Sequence, residues 1–370
     1  MKSSIEKDTI VSLAPGRTCL FGDHQDYLGL PVIACAINRH IKLIAIENNL
    51  QIFNIKKPDI QKERVIDIYD QLGHIENGDH LLSALKVLRR YGCIPNQGYD
   101  ITISGDLPIN AGVSSSSAVV IAWVQFLIEA FGINGEVTPE YISRLAQEAE
   151  VLEHRAPGGK MDQYSIGLGK VIYLETGNDF SYERIDKSLK SLIIAESGIP
   201  KQTTKLLKEK KENAWLAIHK IKEKNSDFDI KKAKKEQLKE YSNQLPDRLI
   251  PYLFAAISNH DITKKALIEF KKKALDIEKI GRLMNEHHQI LRDVLQVSLP
   301  KIDNMIKAAL DGGAYGGKIV GSGKGGSIVV LAPEGKEEEV INEIIKAGAK
   351  NAYQVTVDSG ARILKTIKQT

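Results

Sequence analysis

Apolar and polar positions alternate with a two-residue period near the start of the chain, which is the pattern of a half-buried strand. Residues 9–14 follow this pattern, and residues 32–37 and 41–47 predict two strands that pair as a hairpin. A further alternating segment, residues 99–105, predicts another strand. The first hundred residues therefore predict the strands of a β-sheet.

Helical spacing of apolar residues is found between these strands and after them. Residues 79–91 predict one helix, and residues 115–131 predict a second that is apolar enough to be buried. A third helix starts at Thr138-Pro139, because threonine caps a helix and proline suits its first turn. Helices thus alternate with strands in the first half of the chain.

The second half has a helical centre and returns to strands at its end. Residues 200–245 are rich in Lys interleaved with Glu, which favours exposed helices over a nucleic-acid-binding module. The other predicted elements are strands at 170–175, 192–195, 318–320, 327–331 and 352–357, and helices at 251–296 and 335–347. We expect an α+β protein of two packed lobes, with the helical segment inserted in the second.

Composition narrows the classes of partner. The 370 residues carry 51 basic and 47 acidic side chains, a balance too even for nucleic acid or an anionic membrane as the main partner. Three cysteines in no metal-binding pattern favour a reducing, cytoplasmic setting. The polar N-terminus does not resemble a signal peptide, and no apolar run is long enough to span a membrane.

A loop of small residues joins the predicted strand at 99–105 to the apolar helix at 115–131. It contains Asn110-Ala111-Gly112-Val113-Ser114-Ser115-Ser116. Such a loop leaves backbone N–H groups unpaired at a helix N-terminus, where the helix dipole also favours an anion. The sequence therefore predicts a phosphate site here, with a serine hydroxyl available to a metal ion; a solvated serine-rich turn is the alternative.

Three further segments carry candidate chemistry. Residues 14–29 predict a loop that places Arg17, Asp23, His24 and Asp26 between glycines, which suits hydrogen bonding to a polyol. Residues 148–164 hold a helical carboxylate twelve residues before a loop carboxylate, so that one could hold a metal and the other face a substrate. Residues 321–327 form a glycine loop between two strands, where a backbone and a ligand can approach closely.

These four segments, in this order, resemble the GHMP kinase family (galactokinase, homoserine kinase, mevalonate kinase and phosphomevalonate kinase) over nearly the whole chain. Residues 23–27, Asp-His-Gln-Asp-Tyr, and residues 161–163, Met-Asp-Gln, are most similar to galactokinases, as is the stretch 283–303. Asp23 stands where galactokinases carry Glu, and Asn110 stands where Gly is common. The Tyr-Asn-x-Arg segment of galactokinases is not visible, and residues 196–207 look closer to mevalonate kinase.

The resemblance implies the GHMP kinase fold. Its N-terminal lobe, similar to ribosomal protein S5, would span residues 1–180. Its ferredoxin-like C-terminal lobe would span residues 181–370 and contain the helical insert. The active site would lie between the two lobes.

The resemblance also implies roles for individual residues. Asp162 would act as the catalytic base and Arg17 would lie between it and the γ-phosphate of ATP. ATP would be bound by Asn110, Ala111, Gly112, Val113, Ser114, Ser115 and Ser116. The sugar would be bound by Asp23, His24, Gln25, Asp26, Gly159 and Asp162. Mg²⁺ would be held by Ser116 and Glu150, with Glu153, one turn further on, as the alternative to Glu150.

The implied activity is transfer of a phosphoryl group from ATP to the anomeric hydroxyl of a hexose, with galactose as the first candidate and Mg²⁺ as cofactor. The alternatives are a kinase of another sugar, a sugar acid or mevalonate, and a sugar sensor without activity. The expected partners are a small-molecule sugar and ATP, without nucleic acid or membrane, in a cytoplasmic monomer or homodimer.

Overall fold

A computed structural model describes residues 9–201 and 204–367. Their strands are β1 (Thr9–Phe21), β2 (Val32–Asn48), β3 (Ile52–Lys57), β4 (Lys62–Asp67), β5 (Gly98–Gly105), β6 (Val171–Glu175), β7 (Ser181–Ile185), β8 (Leu192–Glu196), β9 (Gly316–Ile319), β10 (Ser327–Leu331), β11 (Asn351–Val355) and β12 (Arg362–Ile367). Their α-helices are α1 (His80–Arg90), α2 (Ser115–Phe131), α3 (Pro139–Gln147), α4 (Met161–Leu168), α5 (Thr204–Lys224), α6 (Leu238–Ser242), α7 (Ile250–Phe270), α8 (Ile277–Gln289), α9 (Pro300–Asp311) and α10 (Glu337–Lys346). π-Helical turns at Glu148–Leu152 and Ile290–Val294 extend α3 and α8.

The strands form two sheets. The first has the order β12-β1-β2-β5-β3-β4. Strand β6 pairs with the first residues of β2, and β7 pairs with β6. Its strand pairs are antiparallel except for the parallel pair of β3 and β5. The second sheet is antiparallel, with the order β11-β8-β10-β9. The predicted α+β class is thereby confirmed.

Helix α2 is the centre of the first lobe. Trp123 and Phe126 are fully buried, and their rings pack with Phe53 from β3. The buried face also contacts β1 and β2. Because α2 is fixed in this way by apolar burial, the loop before its first residue is held at a defined place on the sheet.

Most of the predicted elements are confirmed, including the helices at 79–91 and 115–131. The Thr138 side chain accepts a hydrogen bond from the Tyr141 N–H, so this residue caps α3 as predicted. The predicted hairpin is wrong, because residues 32–48 form one continuous strand. Strand β1 pairs with nearly the whole length of β2. The register of this pairing shifts between Pro15 and Gly16, opposite the residues where the turn was predicted.

Helix α5 differs from the predicted exposed helix. One of its sides is buried against α7 and the segment after β1, through Ala214, Ala217, Ile218 and Ile221. The long Lys and Glu side chains cover the other sides, and they dominate the sequence pattern. Helix α5 is therefore part of the core and packs against residues 27–30, which follow β1.

The end of the chain was also predicted incompletely. Residues 352–357 were expected to form the closing strand, but β12 follows and pairs with β1 at the edge of the first sheet. Strand β7 lies in the same sheet, although both strands follow the predicted boundary at residue 180. That boundary stays a prediction.

Within the described residues, no helix combines the length and apolar character needed to cross a membrane.

Candidate active site

Arg17 connects the loop of small residues at 110–116, called the serine loop below, to Asp162, the predicted catalytic base. It lies within β1, where a loop was predicted, because pairing with β2 continues to Phe21. Its backbone N–H donates to the Val113 carbonyl at 3.1 Å, and its Nη1 donates to the Gly112 carbonyl at 2.6 Å. Its Nε and Nη2 lie 2.9 and 2.8 Å from Asp162 Oδ1. The side chain is only 3% exposed, so the strand holds it in one orientation.

Asp162 lies in the first turn of α4, where a loop carboxylate was predicted. The helix begins directly after Gly158-Gly159-Lys160, which accounts for this difference. Ser114 Oγ donates to its second oxygen at 2.5 Å. Burial by itself would raise the pKa of Asp162, but Arg17 and Ser114 outweigh burial and lower that pKa below the usual value. Asp162 is therefore ionised at neutral pH.

The serine loop is held in a tight conformation before α2. Asn110 and Ser114 have left-handed backbones, with φ of 56° and 58°. Ser114 precedes the helix but makes no side-chain cap, since its hydroxyl is bonded to Asp162. Gly112 packs closely on both ends of the glycine loop at residues 321–327. A Cβ added to Gly112 would lie 3.0 Å from the carbonyl oxygen of Val320, which precedes that loop, and 3.7 Å from Ser327 N. Asn110 and Ser116 are exposed to the cleft, whereas residues 111–114 are buried and Ser115 is half-buried.

Glu150 lies in the π-helical turn that follows α3, facing the start of α2. Gln163 Nε2 donates to its Oε2 at 2.6 Å. Burial raises the pKa of Glu150, while hydrogen bonds from Gln163, Ser117 and Ser116 oppose that rise. Glu153 is turned away and pairs with Lys86 and Arg90. The geometry thus favours Glu150 over Glu153 as a cleft carboxylate.

Asp23 connects the segment at residues 14–29 to Lys318 in β9 and to the glycine loop at residues 321–327. Its Oδ2 lies 2.5 Å from Lys318 Nζ, and both side chains are 0% exposed. Its Oδ1 accepts a hydrogen bond from the Gly321 N–H at 2.7 Å. Lys318 outweighs the effect of burial and lowers the pKa of Asp23. Both carboxylate oxygens therefore have protein partners.

His24 and Gln25 are fixed in similar ways. His24 Nδ1 lies 3.0 Å from the Tyr27 hydroxyl, and its Nε2 lies 3.1 Å from the Ser322 carbonyl. Burial lowers the pKa of His24 to about 4, so the ring is neutral. Gln25 is fully buried and donates to the Pro31 carbonyl at 3.1 Å, away from the cleft.

Asp26 is the carboxylate of residues 14–29 that is most exposed to the cleft. Its Oδ1 accepts the Tyr27 N–H at 2.9 Å. Gly159 packs against it so closely that a Cβ there would lie 2.1 Å from Asp26 Oδ2. Burial, and then the charge of Asp162, raise the pKa of Asp26 to about 6.

One cleft of about 1060 Å³ collects most of the predicted site residues. Those that line it are Arg17, Asp23, His24, Asp26, Asn110, Ser116, Glu150, Gly159 and Asp162. Residues 111–115 lie behind this surface, and Gln25 is not part of it. Gly321 and Ser322 from the glycine loop at residues 321–327 also line the cleft, so four segments that are distant in sequence converge on a single pocket.

Some lining residues were missed by the sequence reasoning. Lys201 faces the same centre: burial lowers its pKa, and the charges of Asp162, Arg17 and Glu150 act on it. Trp215 lines the cleft from α5. A lysine-rich stretch gives no local signal that distinguishes Lys201, and Trp215 stands out only as one of two tryptophans.

The cleft thus brings a loop of small residues at the start of a buried helix next to an ionised carboxylate and a buried arginine, an arrangement that suits phosphoryl transfer. The family comparisons agree with this chemistry. Residues 79–170 match the GHMP kinases N terminal domain and residues 264–350 match the GHMP kinases C terminal domain. Residues 2–46 match the galactokinase galactose-binding signature. The chain belongs to the GHMP kinase family, and it is an ATP-dependent phosphotransferase with an alcohol group as acceptor.

Similar proteins carry two different names. A mevalonate kinase of Thermococcus gammatolerans is 26% identical, with 97% of this chain and 99% of the relative covered. A galactokinase of Clostridium acetobutylicum is 28% identical, with 90% and 88% covered. The crystal structure of Lactococcus lactis galactokinase complexed with galactose has the same fold, with a TM-score of 0.85, 21% identity, and 96% and 95% covered.

Proposed function

We propose that this kinase transfers the γ-phosphoryl group of ATP to the anomeric hydroxyl of a hexose, with galactose as the first candidate. The observation that carries the proposal is the placement of Asp26 and Asp162 in one cleft, where Gly159 packs closely on Asp26. The galactose-binding signature covers the segment that contains Asp26, which supports a sugar as acceptor.

Asp162 is the proposed general base. Its carboxylate is held ionised by Arg17 and Ser114, so it can accept the proton of the acceptor hydroxyl. Ser114 belongs to the proposed phosphate loop, and its hydrogen bond fixes Asp162 relative to that loop. The base and the phosphoryl donor are thus oriented by the same element.

Arg17 is the proposed electrostatic catalyst. Its guanidinium reaches from the Gly112 carbonyl to Asp162, between the loop that would cradle ATP and the acid that would receive the proton. It is buried and preorganised, so it can stabilise negative charge on the transferring group without rearrangement. Residues 110–116 would provide backbone N–H groups and the N-terminus of α2 to the phosphates.

Mg²⁺ fits the donor set at Ser116 and Glu150. Both residues line the cleft, the set consists of oxygen atoms, and a cation would favour the ionised form of Glu150, whose pKa burial raises. When bound, the ion would offset charge on the phosphates of ATP. Gln163 holds the orientation of Glu150 through its 2.6 Å hydrogen bond.

Sugar recognition is proposed to centre on Asp26, whose carboxylate can accept hydrogen bonds from two neighbouring hydroxyls. Asp23 and His24 are proposed to have positioning roles instead, because their polar atoms already bind Lys318 and Ser322. Gln25 is proposed to have a positioning role because it donates to the Pro31 carbonyl and does not line the cleft. The proposed setting is cytoplasmic, which agrees with three free and buried cysteines.

Mevalonate is the second candidate acceptor. Relatives named mevalonate kinase align over almost the whole chain, and one of them covers 97% of it. The acceptor would then be an open-chain carboxylic acid, and Lys201 or the lysines of α5 would meet its carboxylate. The proposed base and phosphate loop would be unchanged.

The test is release of ADP from Mg-ATP with galactose, other hexoses, uronic acids, homoserine and mevalonate, for the wild type and Asp162→Asn. Turnover of galactose that falls at least about 100-fold in Asp162→Asn would support both acceptor and base. The exposed Asp227→Asn is the matched control and should keep full activity. Turnover of mevalonate alone would contradict the sugar proposal, and sugar binding without any turnover would favour a sensor.

A further inference from the structure

We propose that Trp215 forms the apolar floor on which the sugar ring of the acceptor packs, and that it thereby selects a ring over an open chain. This inference rests on the proposed function, because it assigns a specificity-determining residue to the acceptor end of the same cleft. Neither the family resemblance nor the sequence motifs single out this residue.

Helix α5 presents a regular stripe to the cleft. Lys208, Lys211, Glu212, Trp215, Leu216 and His219 recur at spacings of three and four residues, and all of them line the pocket. The opposite side of the helix is buried in the core through Ala217 and Ile221. The stripe is therefore held facing the cleft by apolar packing behind it.

Trp215 is fixed beside the proposed sugar loop. Its Nε1 donates to the Tyr27 carbonyl at 3.1 Å, one residue after Asp26. Its ring stacks on His219, with centroids 5.5 Å apart and planes at 29°. These two contacts leave the half-buried indole in one orientation, with part of its surface lining the pocket.

Asp26 and Trp215 offer complementary chemistry to a sugar. Asp26 offers a carboxylate to the hydroxyls of a sugar, whereas the indole offers a flat apolar surface to the C–H groups of its ring. A ring that packs on the indole while it bonds to Asp26 satisfies both surfaces. An open-chain acceptor can reach the carboxylate but cannot cover the indole in the same way.

Tryptophan fluorescence gives a readout that is independent of turnover. The chain has two tryptophans, and Trp123 is fully buried in the first lobe, with its Nε1 bonded to the Leu81 carbonyl. A change of emission on adding galactose without ATP therefore reports on Trp215. We expect a saturable change with galactose and none with mevalonate.

Kinetics of Trp215→Ala and Trp215→Phe complete the test. We expect the KM for galactose to rise about tenfold in Trp215→Ala, which corresponds to about 1.4 kcal/mol, and less in Trp215→Phe. The KM for ATP and the thermal midpoint of Trp215→Phe should stay close to those of the wild type. Phe254→Ala is the matched control, because Phe254 is also partly exposed but does not line the cleft.

The outcomes separate this inference from the proposed function. Galactose turnover with an unchanged KM in both variants, and no change of fluorescence, would overturn the role of Trp215 and leave the function standing. Galactose binding that changes fluorescence without turnover would support the role of Trp215 and overturn the proposed activity. Mevalonate turnover with no response to any hexose would overturn both.

Discussion

Asp23 and Lys318 form an ion pair that is 2.5 Å long and 0% exposed at both ends. Lys318 Nζ also donates to the carbonyls of Cys19 and Ile319, so the ammonium has three partners. The pair joins the segment after β1 to strand β9 of the second sheet. It thus ties together the two lobes directly behind the cleft.

Removing one partner of this pair should be costly. Lys318→Met leaves Asp23 buried without its counter-charge, and we expect the free energy of unfolding to fall by about 3–5 kcal/mol. Urea denaturation at neutral pH measures this. Lys56→Met is the matched control, because its pair with Glu63 is 57% and 70% exposed and should contribute less than about 1 kcal/mol. An equally small loss for Lys318→Met would show that the buried pair does not hold the lobes together.

Protonation of Asp26 should lower the activity of the kinase below about pH 6. The pKa of its carboxyl is raised to about 6, so it becomes protonated and loses its charge as the pH falls below that value. We expect kcat/KM for the sugar to fall below pH 6, while Asp26→Asn shows a lower kcat/KM that is flat through this range. A pH profile measured at saturating ATP tests this. An unchanged fall in Asp26→Asn would assign it to another group.

The same carboxylate should cost stability at neutral pH. Its folded-state pKa lies above the value of 3.8 that applies to the unfolded chain, so its contribution to stability is lost as the pH rises from about 4 to about 6. Asp26→Asn should therefore raise the thermal midpoint at pH 7.5 by more than it does at pH 4. A midpoint lowered equally at both values would contradict this assignment.

Gly159 and Gly158 offer a matched pair of substitutions. A Cβ at Gly159 would lie 2.1 Å from Asp26 Oδ2, whereas the nearest atom to a Cβ at Gly158 is Val151 Cγ2 at an ordinary 3.7 Å. Gly159→Ala must therefore displace Asp26, and we expect the KM for the sugar to rise at least about tenfold with little change in the KM for ATP. Steady-state kinetics should show a much smaller effect of Gly158→Ala. Equal effects would mean that the position of Asp26 is not critical.

Lys201 should control the alkaline side of the pH profile. Burial lowers the pKa of its ammonium, although Asp162 opposes this, so it loses its charge at a lower pH than an ordinary lysine. We expect kcat/KM for ATP to fall as the rising pH deprotonates the Lys201 ammonium. Lys201→Arg should move this fall to higher pH. Lys201→Met should raise the KM for ATP at neutral pH. Lys222→Met, on an exposed part of α5, is the control.

The sequence identified some local elements of the site and misassigned others, since Arg17 lies in β1 and Asp162 in α4 where loops were predicted. Helix α2 was predicted with the bounds that the structure shows, because a long apolar run between a serine loop and Gly132 leaves little choice. Arg17, Glu150 and Asp162 were singled out by a motif order that is specific to one family. The hairpin prediction was wrong because polar residues inside a long paired strand resemble a turn when only the local pattern is considered.

What only the tertiary structure decided is how each polar atom is used. The family resemblance implied that Asp23, His24, Gln25 and Asp26 all bind substrate. In the structure, Asp23 and His24 have partners from distant segments, and Gln25 faces inwards. Trp215 lines the cleft because the opposite side of α5 is buried in the core. No sequence motif specifies this orientation of the helix. Sequence by itself determined which chemistry is available, since motifs specify residue types. The packing of the two lobes determined which groups remain open to a ligand, because hydrogen-bond partners are chosen across the fold.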